Sequence, residues 1–207
     1  MTPKNPMRPP GALIVDAGDL IDYPGALWRI HRTTGPYRQT WDEMRTYGPL
    51  ASMRWDAHPP PPGEHPAAAV SYTATDVVTT FAEAFQARRS ITLSGAVALA
   101  GWEPTRPLKL LDLTGTWLVR NGASASLTGT RKDTCRGWAR AIRQTWPDID
   151  GLYAPSTMTG GPMAVLYAPS SNSFPAAPRL ARALNHPGLS GVVVKVADEL
   201  GWPVRTV

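Results

Sequence analysis

Cysteine is nearly absent from this chain of 207 residues: Cys135 stands alone, so neither an intrachain disulfide framework nor a cysteine-based zinc site can form. Long apolar runs are missing too. The stretch from Gly95 to Gly101 is followed at once by Glu103, Pro104 and Arg106, well short of the roughly 18–20 apolar residues a membrane helix needs. The first ten residues, Met1 to Pro10, are rich in Pro and lack the apolar segment and small-residue cleavage site of a secretory signal. A protein of the cytoplasm without membrane contact is the resulting expectation. Also lacking are a GxxxxGK[ST] phosphate loop, a GxGxxG dinucleotide turn, an HExxH helix and a GxSxG nucleophile elbow, which removes P-loop kinases, Rossmann dehydrogenases and ordinary serine hydrolases.

What is present is a globular composition, 43% hydrophobic and 18% charged with eight Trp, in a length that suits one domain spanning 1–207. Lys and Arg total 21 against 16 acids, and 17 of the 21 are Arg. Arg forks onto phosphate or carboxylate, but a GC-rich coding sequence also raises Arg, Ala, Pro and Gly. The basic residues are spread in ones and twos from Arg8 to Arg205, with no run of five and no nucleic-acid-binding motif, so direct DNA or RNA contact is not expected. No metal site is expected: His58, Glu64 and His65 fall in the Pro59–Pro66 loop without helical or strand spacing, and read as solvated loop residues. Cys135 reads as a packing residue rather than a thiolate nucleophile.

Along the chain, residues 1–10 read as a flexible arm. Strands are predicted at 26–31, 52–55, 67–74, 108–113, 151–154 and 163–168 from alternation and apolar content. The spacing of Val77, Val78, Phe81 and Phe85 predicts a helix over 76–89 with Thr75 or Asp76 as its cap. A second helix, 134–146, carries Trp138 and Ile142 on one face and Arg136, Arg140 and Arg143 on the other, and Pro147 stops it. The tail, 178–207, reads as helical in pieces around 179–184 and 192–200. Short strands interleaved with helices and irregular loops indicate an α+β fold, with a mixed, largely antiparallel sheet and flanking helices.

Four residues read together carry more than any motif alone: Arg29 in LWRIHRT, Arg54 in SMRWDAHPPPPGE, Tyr72 in AVSYTA and Glu83 in TTFAEAFQ. Their order and spacing, with LLDLTG at 110–115, GWARAI at 137–142 and DIDGLYAPS at 148–156, resemble the RES domain family over about residues 27–167. The resemblance implies a fold like that of ADP-ribosyltransferases and an enzyme that takes NAD as substrate. It implies a growth-inhibiting bacterial toxin that breaks the nicotinamide–ribose bond by hydrolysis or phosphorolysis, or passes ADP-ribose to a protein, with an inactive interaction module as the alternative. It implies a cognate antitoxin partner, and leaves open a homo-oligomer. Carried over by motif, the family Arg is Arg29 and its Glu is Glu83, both catalytic, while Arg29, Arg54 and Tyr72 hold the ligand. The family Ser falls either at Asp133 or Thr134, at the start of the second helix, or at Ser156. Ile30 stands where some relatives carry Tyr, a contact His31 could supply.

The residue types suit that chemistry. Breaking the nicotinamide–ribose bond releases a neutral amide and leaves a ribose with oxocarbenium character, so a carboxylate beside the ribose stabilises the transition state. Guanidiniums can fork onto the phosphates, an aromatic face can stack on the nicotinamide ring, and a Ser or Thr hydroxyl can bond its carboxamide.

Overall fold

In the computed structural model, which describes residues 3–206, the chain forms β1 (Leu20–Tyr23), β2 (Leu27–Arg32), β3 (Tyr47–Gly48), β4 (Gly63–Glu64), β5 (Val70–Ala74), α1 (Val77–Phe85), β6 (Ile91–Leu93) and β7 (Val97–Trp102). It continues through β8 (Leu108–Asp112), α2 (Trp117–Arg120), α3 (Lys132–Thr145), β9 (Gly151–Pro155), β10 (Pro162–Tyr167), β11 (Leu180–Ala183), α4 (Ser190–Leu200) and β12 (Val204–Thr206). Eight strands make one sheet in the order β1-β8-β9-β10-β5-β2-β7-β11. Only β8 and β9 run parallel within it, because the connection between them crosses over one face and carries α2 and α3. This is the α+β, mostly antiparallel architecture expected from the sequence.

The core divides into three. Trp117, Trp138, Leu152, Val165 and Tyr167 pack beneath α2 and α3, and Phe81, Leu99, Val193 and Val196 join α1 and α4 to the other half of the sheet. Leu27, Trp102, Leu108 and Leu166 cover the reverse face. Strand alternation assigns the sides: Val165 pairs with Tyr72, Ala74 with Trp28, and all four side chains therefore share the helical face. The two helical packages thus sit side by side on one face with a gap between them.

That gap coincides with a split in the sheet. β2 and β7 are in register over six residue pairs and β10 and β5 over five, whereas β2 and β5 meet only at Trp28 and Ala74. Beyond this point a loop wedges between them. The Gln39 N–H donates to the Arg32 carbonyl at 2.8 Å, and Arg45 and Val70 exchange backbone bonds of 2.9 and 3.0 Å. Gly101, opposite Trp28, leaves room for its indole, since a Cβ there would lie 2.3 Å from the ring.

Several sequence expectations are corrected. Residues 179–184 are not helical: β11 pairs antiparallel with β7, and Leu180 and Leu184, which suggest a helical repeat, are the first residue of that strand and the residue just past its end. The predicted helix around 192–200 does form, as α4. Residues 52–55 form no strand, because the segment turns, with the Met53 N–H donating to the Leu50 carbonyl at 3.1 Å and the Asp56 carboxylate tying the turn at the N–H groups of Leu50 and His58. In 67–74 the strand begins only at Val70, after a 3-10 turn opened by Pro66. His58 is not a solvated loop residue but fully buried.

The arm is also held rather than free over its described residues. The Trp138 indole donates to the Pro6 carbonyl at 2.9 Å, and the Asn5 side chain bonds Ser124 and Ser126. Gly137 permits this crossing, since a Cβ at that position would stand 2.1 Å from the Met7 carbonyl oxygen. Gly137→Ala should therefore detach residues 3–10 from α3 even though Ala favours a helix by about 1 kcal/mol over Gly. Limited proteolysis checks this, with faster cleavage near residues 4–8 as the expected result.

Candidate active site

A cleft of about 850 Å³ opens where the sheet splits, within the range of roughly 300–1,000 Å³ typical of small-molecule sites. Trp28 and Ile30 of β2 and Tyr72 and Ala74 of β5 supply its floor, and Glu83 on α1 faces it. Asp76 caps α1 by accepting the Thr79 N–H at 2.7 Å, which fixes where the helix begins and so where Glu83 stands.

Glu83 is held by two neighbours. Ser156, buried just after β9, donates its hydroxyl to Glu83 Oε1 at 2.6 Å, while Gln86 Nε2 donates to Oε2 at 3.1 Å. The Ser156 hydroxyl in turn accepts the N–H groups of Met158 and Thr159 at 3.0 and 3.2 Å, so its proton is directed at the carboxylate. The same turn is tied to α1 through the Thr79 and Thr159 hydroxyls, 2.9 Å apart. Each carboxylate oxygen keeps a lone pair for a further donor. Gln86 was not foreseen; its signal was the three-residue spacing from Glu83 on a helix face.

Tyr72 also lines the cleft, with its hydroxyl buried and without a hydrogen-bond partner among the described residues. Burial, followed by the nearby Asp56 carboxylate, pushes that phenol far above its ordinary range, so it is neutral.

Arg29 occupies the split itself. Alternation directs it to the face opposite Trp28 and Tyr72, and its guanidinium spans the gap. Nη1 donates to the carbonyls of Trp41 and Glu43 at 3.2 and 2.8 Å and to Ser71 Oγ at 3.1 Å, and Nη2 donates to Gln39 Oε1 at 3.1 Å. Burial pulls it down to about 10, opposed by Glu43 and Asp42, and it remains a cation at neutral pH. His31, on the same side, donates from Nδ1 to the Gln39 carbonyl at 2.9 Å, and burial followed by the Arg29 charge keeps the imidazole neutral.

The remaining candidates lie elsewhere. Arg54 and Thr134 are absent from the cleft lining; Thr134 lies in the first turn of α3, and beside it Arg54 Nη1 donates to the Thr130 carbonyl and approaches Cys135 Sγ at 3.6 Å. The Thr134 N–H donates to the neighbouring Asp133 carboxylate at 2.8 Å, so neither Asp133 nor Thr134 reaches Glu83. Of the alternatives for the family Ser, the fold brings Ser156 to the Glu. Cys135 is buried and its thiol is pushed up by desolvation, consistent with packing.

Behind the cleft, Asp56 anchors the loop that follows Arg54. It accepts from Arg45 at 3.0 Å, from the Leu50 N–H at 2.8 Å and from the His58 ring. Burial alone would raise its carboxyl, but the His58, Leu50 and Arg45 contacts outweigh it and hold it well below the usual range. A carboxylate depressed in the folded state contributes stability that is present above its unfolded value of about 4 and lost as pH falls.

Two outcomes follow. Arg29→Lys, which keeps the charge but not the fork, should lower unfolding free energy by about 3 kcal/mol in urea melts, the range for a broken buried ionic contact. Asp56→Asn should destabilise by a similar amount, about 3 kcal/mol, at pH 7 and should lose less than the parent between pH 5 and about 2.

Comparison with known proteins bears on this geometry. No curated protein matches the sequence. A chain of the crystal structure of the M.tuberculosis MbcT-MbcA toxin-antitoxin complex superposes with a TM-score of 0.53 at 19% identity, over 79% of this chain and 86% of that one, which shows a shared fold. The family model for the RES domain matches residues 26–190, from the first residues before β2 to the start of α4 and hence every wall of the cleft. The chain therefore belongs to the RES domain family.

Proposed function

We propose that this protein is the toxin of a toxin–antitoxin pair and that it consumes NAD, breaking the bond between nicotinamide and ribose in the cleft at the sheet split. The observation that carries the reading is the Glu83 carboxylate, oriented by Ser156 and Gln86, on the wall of a ligand-sized cleft. Membership of the RES domain family and the toxin–antitoxin complex in which the similar fold occurs support it. An antitoxin of the same operon is the proposed partner, and the cytoplasm, where NAD is available, the proposed compartment.

In this reading Tyr72 packs beside the nicotinamide and Glu83 accepts a hydroxyl of the attached ribose. As the C–N bond breaks, its electron pair leaves with the ring, which departs as neutral nicotinamide, and positive charge grows on the ribose. Glu83 stabilises that charge. Water or phosphate then adds to the ribose carbon, giving ADP-ribose with loss of a proton, or ADP-ribose phosphate. Ser156 is a positioning residue, since its hydroxyl proton is committed to Glu83. Arg29 positions the wall between β2 and β5, and Arg54 and Thr134 support the loop and helix behind Tyr72.

The test is nicotinamide release from NAD by purified protein, with and without phosphate, using labelled NAD to identify the product. The parent should release nicotinamide, and Glu83→Gln should lower kcat by roughly a hundredfold or more while NAD affinity stays within a few-fold. No release by folded protein under either condition overturns the reading. Label that ends on a protein would move it to ADP-ribosyl transfer.

A further inference from the structure

We infer that the diphosphate of the nucleotide is gripped by Arg32 and Arg88, two guanidiniums at the end of the cleft away from Tyr72, rather than by Arg29 and Arg54. This rests on the nucleotide reading of the cleft and adds to it the residues that hold the anion.

A diphosphate bound in a cleft requires cations with free donors. Arg29 also lines the cleft, but both its terminal nitrogens are engaged by protein acceptors from the far side of the sheet, and Arg54 is bonded at the start of α3 outside the lining. Releasing either would leave partly buried carbonyls without their donor, an exchange that costs about as much as a phosphate contact returns. Arg32 and Arg88 differ in keeping their donors free. Both line the cleft, both are exposed, and neither side chain has a hydrogen bond or ion pair among the described residues.

Their placement follows from the fold. Arg32 ends β2 and shares the parity of Trp28 and Ile30, so its side chain rises on the cleft face. Arg88 lies in the turn after α1, five residues beyond Glu83, and so past the end of the helix that carries the acid. The lining also carries the hydroxyls of Thr34, Thr92 and Ser94, and Glu83 is the one acid among the lining residues. The cleft is therefore polarised: a carboxylate beside Tyr72 and Met163 at one end, two uncompensated guanidiniums at the other. A dinucleotide has the matching order, with a cationic ring and its ribose followed by two negative phosphates. Forked, charge-assisted bonds from exposed Arg also cost little desolvation before the ligand arrives.

ADP, which carries the diphosphate without nicotinamide, is the direct probe. Calorimetry on the full chain should show ADP binding that weakens about tenfold in Arg32→Gln and in Arg88→Gln, more in the double variant, with a shallower salt dependence. Thermal melts of both should match the parent because both side chains are exposed, and Arg205→Gln, outside the cleft, should bind ADP as the parent does. Parent-like ADP affinity in both Arg32→Gln and Arg88→Gln, or no ADP binding by the parent, overturns the assignment. If ADP binding depends on both Arg but the parent releases no nicotinamide from NAD, the anion clamp stands and the NAD-cleavage reading falls.

Discussion

The guanidinium of Arg29 is the contact on which the cleft depends. Strands β2 and β5 are neighbours in the sheet that share a single residue pair, and separating two strands ordinarily leaves rows of N–H and C=O groups unpaired. Here the loop from Gln39 to Arg45 fills the gap, with its own carbonyls turned inward, and one cation answers four of the resulting acceptors. A neutral side chain offers fewer donors, and Lys lacks the planar fork that reaches both sides at once. With the split so braced from behind, its front remains open between the two helical packages. The Arg29 guanidinium is thereby committed to holding the cleft open.

On the open face the Glu83 carboxylate is placed by a short chain of local bonds. Asp76 sets the first turn of α1, and Thr79 of that turn touches Thr159 in the turn after β9. The latter turn presents Ser156 to Glu83. Helix and turn are thus fixed to each other at two points, and Glu83 is held between Ser156 and Gln86 before any ligand binds. Such preorganisation is what electrostatic stabilisation of a developing charge demands, because a carboxylate that must first be turned forfeits part of the gain. The polarity of the cleft, with the acid at one end and Arg32 and Arg88 at the other, extends the same logic to binding.

Much of the frame was legible in the sequence because it rests on period and caps. The α1 pattern with Asp76, the α3 face of Trp138 and Ile142, and the apolar run of β8 all form where alternation and helical spacing predict. β7 was not read as a strand, since its run of Ala and Leu carries no alternation when both faces are buried. β11 was misread because RLARAL satisfies a helical repeat as well as a strand one, and only pairing with β7 decides between them. At the site, motif order pointed to Glu83, Tyr72 and Ser156, which share the cleft or its wall. It could not show that Arg29 faces the other side of the sheet, nor that Arg54 sits against α3, because both depend on partners distant in sequence. Arg32 and Arg88 carried no motif at all, and their shared cleft exists only once β2 and α1 are packed together.

The most direct test of this account is a crystal structure of the Glu83→Gln variant with NAD, which the loss of the carboxylate should leave intact in the crystal. The account predicts the nicotinamide ribose against residue 83 and Tyr72, the diphosphate at the Arg32 and Arg88 end, and Arg29 unmoved from the carbonyls of Trp41 and Glu43. A dinucleotide whose phosphates sit on Arg54, or whose nicotinamide ribose lies away from residue 83, would contradict it.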